Sequence, residues 1–81
     1  MKIEVVLFAH VREAFGADSV EVEVSDTATV ADVIDVLAAR PQWHSVAMLP
    51  LSYAVNDVYA NDKQLLRPGD RVAVLPPMSG G

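Results

Sequence analysis

Two segments of this chain carry apolar residues on both faces of a strand, and they stand at its opposite ends. From Lys2 to Ala9, Ile3, Val5 and Leu7 share one side while Val6 and Phe8 share the other; from Arg71 to Leu75, Val72 and Val74 oppose Ala73 and Leu75. Side chains alternate along a strand, so a segment apolar on both sides calls for cover, at least in part, on both and belongs in the middle of a sheet. A chain of 81 residues makes one domain with one core. The two segments therefore pair with each other at the sheet centre, and they run parallel through a crossover that contains a helix.

The residues between them supply the remaining parts. Ser19 to Val24 alternates Val20, Val22 and Val24 with Glu21 and Glu23, the period of a half-exposed antiparallel strand, and it pairs as a hairpin with the first segment. His10 to Phe15 has room only for a turn or a one-turn helix before Gly16 stops it. Thr29, with Asp32 three residues on, reads as a helix N-cap and capping box. Val30, Val33, Ile34 and Leu37 then form an apolar stripe widened by Ala38, with Arg40 in the last turn and Pro41 as the stop, which predicts a helix over 29–40. Gln42 to Pro50 is a connector anchored by Trp43. Leu51 to Asn56 reads as a strand, Asn56-Asp57 as a turn, and Val58-Tyr59-Ala60 as a short return strand. Leu65-Leu66 plugs the core, and Arg67-Pro68-Gly69-Asp70 turns the chain into its last strand. The sum is an α+β fold of the β-grasp (ubiquitin-like) type over residues 1–75, a mixed sheet of about five strands with one main helix across one face.

Composition narrows the function classes. A net charge of −5 disfavours binding to a phosphate backbone or an anionic membrane, and an acidic domain suits a partner with a basic groove. With no cysteine, disulfides, thiolate zinc sites and thiol nucleophiles are excluded. No secretory signal is visible near Met1 and no apolar run approaches the roughly 20 residues of a membrane span. The expectation is a cytoplasmic protein. His10 and His44 have no spaced ligand partners, so no metal site is expected. Asp32 and Asp35 are explained by the helix dipole, and Gly69 belongs to a turn rather than a phosphate-binding loop.

After the last strand come Pro76, Pro77, Met78, Ser79, Gly80 and Gly81. We read 76–81 as a flexible tail: the prolines favour an extended backbone, and glycine without a Cβ passes through a narrow channel. Chance puts two glycines at the end of about one chain in 200, so the pair alone carries little weight.

Taken together with the residues before it, the tail carries more. The chain resembles, over its full length, the small sulfur-carrying subunits of molybdopterin synthase. The matching pieces are Phe8-Ala9-His10-Val11-Arg12-Glu13, the Thr29-Val30 helix start, Ala54-Val55-Asn56, Leu66-x-x-Gly69-Asp70-x-Val72, and the ending Pro76 to Gly81, where Met78 replaces the family's usual valine. The resemblance implies that the terminal carboxylate of Gly81 is adenylated by an ATP-dependent, ubiquitin-activating-like adenylyltransferase and converted to a thiocarboxylate. It also implies that the tail enters the large synthase subunit, in a heterotetramer, where sulfur passes to a pterin precursor and two sulfurs build the dithiolene that holds molybdenum. No cofactor is bound; the glycyl-adenylate and thiocarboxylate are transient states of Gly81. On the same analogy Phe8, Tyr59 and Leu75 lie on the sheet face away from the helix and, with Arg12, meet the partners. A sulfur carrier for thiamine synthesis, a ubiquitin-like modifier joined to lysines through Gly81, and a passive interaction module are the alternatives.

Overall fold

The computed structural model describes residues 1–76; Pro77, Met78, Ser79, Gly80 and Gly81 lie outside the described residues. In chain order the elements are β1 (Lys2–Leu7), α1 (Ala9–Phe15), β2 (Ser19–Glu23), α2 (Val30–Ala38), a 3₁₀ turn (Pro41–Ser45), β3 (Ser52–Val55), β4 (Val58–Ala60) and β5 (Arg71–Leu75). The strands form one mixed sheet in the order β2-β1-β5-β3-β4. As their two-sided apolar patterns require, β1 and β5 are central neighbours and run parallel, with Val5 beside Val72 and Leu7 beside Val74.

One core fills the space between the sheet's inner face and the helices. Ile3, Val5, Leu7, Val22, Val55, Val72 and Val74 meet Val11, Val30, Val33, Leu37, Trp43, Val46 and Leu66 there. No polar or charged residue is buried among the described residues. The start of α2 is held by a full capping box, in which the Thr29 N–H donates to Asp32 Oδ2 at 2.8 Å and the Asp32 N–H donates to Thr29 Oγ1 at 3.4 Å. Caps of this kind are worth about 1 kcal/mol.

Several boundaries differ from the sequence reading, each for a local reason. β1 ends at Leu7 rather than Ala9, because the Leu7 N–H makes the last ladder bond to Asp18 O and the Phe8 carbonyl accepts from Val11 and Arg12. Phe8 is thereby the N-cap of α1, and Ala9, at φ 50°, turns the chain out of the sheet. α1 is a seven-residue helix rather than one turn, closed by Gly16 at φ 68° with its N–H on Arg12 O. α2 stops at Ala38, so Arg40 is not in its last turn: Pro41 forces Arg40 extended, at φ −84° and ψ 140°. Ala38 is exposed and does not widen the apolar stripe. Only half of the Leu65-Leu66 pair enters the core. Leu66 is buried with its N–H on Ala28 O, whereas Leu65, in a single bridge to Thr29, points outward with 65% exposure.

Candidate functional site

The strand that leads to the tail is held at its start by two turns locked together. Pro68 and Gly69, the latter at φ 88°, make a type II turn closed by the Asp70 N–H on Arg67 O at 3.0 Å. Asn56 and Asp57, at φ 50° and 72°, make the left-handed two-residue turn of the β3–β4 hairpin. The Asn56 amide joins the two: Nδ2 donates to Asp70 Oδ1 at 2.9 Å, and Oδ1 accepts from the Arg71 N–H at 3.0 Å. From this anchor β5 runs between β1 and β3, hydrogen-bonded on both sides, to Leu75 and half-buried Pro76 at the opposite rim.

The register composes the sheet's outer face. Ser19, Val6, Ala73, Ala54 and Tyr59 fall in one row across all five strands. Leu75, beside Ser52, extends this row towards the rim where β5 ends. Small residues in the centre make the surface shallow, and Tyr59, 70% exposed, stands at its margin. Towards the other rim the face is charged. Arg71 Nε donates to Glu4 Oε1 at 2.9 Å, and Lys2 Nζ lies 3.8 Å from Glu21 Oε1. The outer face thus has an apolar end, from which the C-terminal residues depart, and an ion-paired end.

The expected site residues separate accordingly. Tyr59 and Leu75 share the outer face, as their strand positions require. Phe8 does not belong to that face as a strand residue; it caps α1 after Leu7, half-exposed, at the rim where β5 ends. Arg12 lies a helical turn further on and points to its own chain, with Nη1 3.5 Å from Asp18 Oδ1. Pro76 follows β5 directly, while Pro77, Met78, Ser79, Gly80 and Gly81 fall outside the described residues. Val6, Ala73 and Ala54 were not singled out from sequence, although the alternation of β1 and β5 already assigned Val6 and Ala73 to the side away from Val5 and Val72. Exposed Val58 and Met48 carried no pattern that would have marked them.

His10 pairs only with Glu13, Nδ1 to Oε2 at 3.7 Å, and no cluster of three or more His, Cys, Asp or Glu gathers among the described residues. One groove is lined by His10, Glu13, Ala14, Ser45, Val46 and Leu49, and a smaller one by Ala31, Ile34, Asp35, Tyr53 and Asp62; neither touches Phe8, Tyr59 or Leu75. Burial, reinforced by the Asp62 carboxylate, pushes the Tyr53 phenol above its ordinary value, but Tyr53 faces inward. No helix among the described residues is long and apolar enough to cross a membrane.

Comparison with known proteins places the chain in a family. The ThiS family model matches residues 5–81. A molybdopterin synthase sulfur carrier subunit from Chlamydomonas reinhardtii is 39% identical over the whole of both chains. SAMP1 from Haloferax volcanii, a small archaeal modifier protein, superposes with a TM-score of 0.86 at 31% identity over the whole of both chains. A chain in the protein–protein complex of subunits 1 and 2 of the molybdopterin-converting factor of Helicobacter pylori shares the fold, with a TM-score of 0.74 at 21% identity over the whole of both chains. The chain belongs to the ThiS family, in the company of the sulfur carrier subunits of molybdopterin synthase.

Proposed function

We propose that residues 1–75 are a docking domain and 76–81 the reacting tail of a sulfur carrier for molybdopterin synthase, with Gly81 as the carrying residue. The observation that carries this reading is the course of β5. It is the sheet's central strand, anchored by Asn56 and Asp70, and it releases the chain at the apolar end of the outer face. A tail that enters another protein has to be delivered from a surface that protein can grip.

The chemistry follows from what a carboxylate lacks. It is a poor acyl donor, because oxide is a poor leaving group. Attack of the Gly81 carboxylate on the α-phosphate of ATP expels pyrophosphate and leaves an acyl-adenylate. A sulfur nucleophile at the sulfide level then adds to the acyl carbon and expels AMP, giving the thiocarboxylate. One hard step becomes two easier ones. ATP and the sulfur source belong to an adenylyltransferase partner; this chain supplies the carbon. In the large subunit the sulfur passes to the pterin precursor and water restores the carboxylate. Gly80 and Gly81 present no Cβ to either channel, and Pro76-Pro77 limits the conformations lost on insertion. Phe8, Tyr59 and Leu75 supply apolar contact in both complexes. Arg12, already beside Asp18, contributes little, as exposed pairs do.

The test is the intact mass of the protein after incubation with its activating enzyme, ATP and a sulfur source. Exchange of one carboxyl oxygen for sulfur, located at Gly81 by fragmentation, is the expected result. Absence of that species under conditions of ATP turnover overturns the reading. A second reading, a modifier joined to lysines through Gly81, is favoured by the likeness to the archaeal modifier protein. It predicts branched lysine adducts in the same experiment run in cell extract.

A further inference from the structure

The backbone register leaves one side of the sheet open. The Met1 ammonium donates to Val24 O and the Val24 N–H donates to Met1 O, while the Leu7 N–H donates to Asp18 O. Directly opposed antiparallel residues alternate between hydrogen-bonded and non-bonded pairs. Ile3–Val22 and Val5–Val20 are therefore the bonded pairs between these ends. The N–H and C=O groups of Ser19, Glu21 and Glu23 must then point away from β1, along the free edge of β2. No other described backbone or side-chain group bonds them. They offer three donor–acceptor pairs over about 14 Å of strand.

The opposite edge is a poorer template. In the two-residue hairpin, Val55–Val58 and Tyr53–Ala60 are the bonded pairs, so of the β4 residues only Tyr59 presents both groups outward.

Charge selects what the β2 edge accepts. Ser19, Glu21 and Glu23 also turn their side chains to the outer face, because they oppose Val6, Glu4 and Lys2. Asp18 and Asp26 flank the strand. Arg12 lies 3.5 Å from Asp18, Lys2 3.8 Å from Glu21 and the N-terminal ammonium 3.4 Å from Asp26, whereas Glu23 has no ion-pair partner among the described residues. A second copy of this edge would set glutamate against glutamate, which disfavours self-pairing. A strand with Lys or Arg at alternate positions would set cations against Glu21 and Glu23. Its intervening residues would lie over half-buried Val20 and Val24 on the helix side.

We propose that the β2 edge of this domain is a docking site for an extended basic segment of a partner protein, added as a sixth strand beside Ser19, Glu21 and Glu23. It lies at the far edge of the sheet from Tyr59, so its occupation is separate from insertion of the tail. Main-chain bonds supply the attraction and the alternate cations the selectivity.

The experiment is residue-resolved amide hydrogen exchange of the full chain, with and without a capped pentapeptide of alternating lysine and valine. In the free protein the amides of Ser19, Glu21 and Glu23 exchange fast while Val20 and Val22 are protected; the peptide protects the first three. The double variant Glu21→Lys/Glu23→Lys weakens peptide binding about tenfold or more. Glu21→Pro removes the outward N–H together with the Glu21 carboxylate and leaves the bonded pairs to β1 intact, so it keeps the protection of Val22 and Val5 and loses the peptide effect at Ser19 and Glu23. Three results overturn the proposal: an alternating glutamate–valine peptide that binds equally well, protection of the Glu21 amide by self-association without peptide, or a Glu21→Pro variant that is folded and still protected.

Discussion

Replacing Asn56 tests whether the tail-bearing strand is anchored as the geometry indicates. Asn56→Ala removes two side-chain hydrogen bonds, the 2.9 Å bond to Asp70 and the 3.0 Å bond from the Arg71 N–H. At an exposed site these contribute about 1 kcal/mol together. It also puts alanine at φ 50°, where it lacks the short polar side chain that lets asparagine tolerate left-handed backbone, at a further cost of about 1 kcal/mol. The expected loss is about 2 kcal/mol, a fall in Tm of about 10 °C for a domain of this size. Asn56→Gly loses the same two bonds without the left-handed cost, so it should retain about 1 kcal/mol relative to the alanine variant. Urea unfolding, read as a change in midpoint with unchanged slope, measures both. The reasoning is refuted if both variants stay within about 0.5 kcal/mol of the parent, or if glycine is the more damaging.

Other perturbations address the core, the titration of the half-buried Tyr53 phenol and the outer face of the sheet. Leu37→Ala, at a position with no exposure, should cost about 2–4 kcal/mol in the same urea titration. Tyr53 is held neutral in the fold by burial and then by Asp62, so its pKa is higher folded than unfolded. The folded state therefore binds more protons just above the ordinary phenol range, and stability should fall as pH rises beyond about 10. Tyr53→Phe should remove that part of the pH dependence, which thermal melts from pH 8 to above 10 would detect. Tyr59→Glu and Leu75→Glu should leave the melting curve of exposed Tyr59 nearly unchanged and that of half-buried Leu75 modestly lowered. Each should reduce the rate of adenylate formation by about tenfold or more through weaker partner binding, assayed as ATP–pyrophosphate exchange.

The central pairing of the sheet was legible because two segments, Lys2–Leu7 and Arg71–Leu75, are apolar on both faces and a sheet of this size has few central places. The structure nonetheless leaves their outer side open, with Val6, Ala73 and Leu75 only half-buried. The capping box was legible because Thr29 and Asp32 act on each other within one turn. What escaped the sequence depends on competition between neighbours. Phe8 continues the strand's alternation, yet the last ladder bond to Asp18 falls at Leu7 and the next carbonyl is taken by α1. Arg40 and Ala38 continue the helical period, yet Pro41 acts one residue upstream by excluding Arg40 from helical backbone. Leu65 and Leu66 are equally apolar, and only the bridge to Thr29 decides which turns inward. For the site, Tyr59 and Leu75 could be placed by strand period alone. The row that joins them through Ala54, Ala73 and Val6 required the register of strands distant in sequence.

The most direct test of sulfur carriage follows the sulfur itself. Protein bearing radiolabelled thiocarboxylate at Gly81 is mixed with the large synthase subunit and the pterin precursor, and a Gly81 deletion that retains the parent melting curve serves as the control. The account predicts that label leaves the carrier and appears in the dithiolene product, with none delivered by the deletion. Label that stays on Gly81, or a deletion as active as the parent, would contradict it.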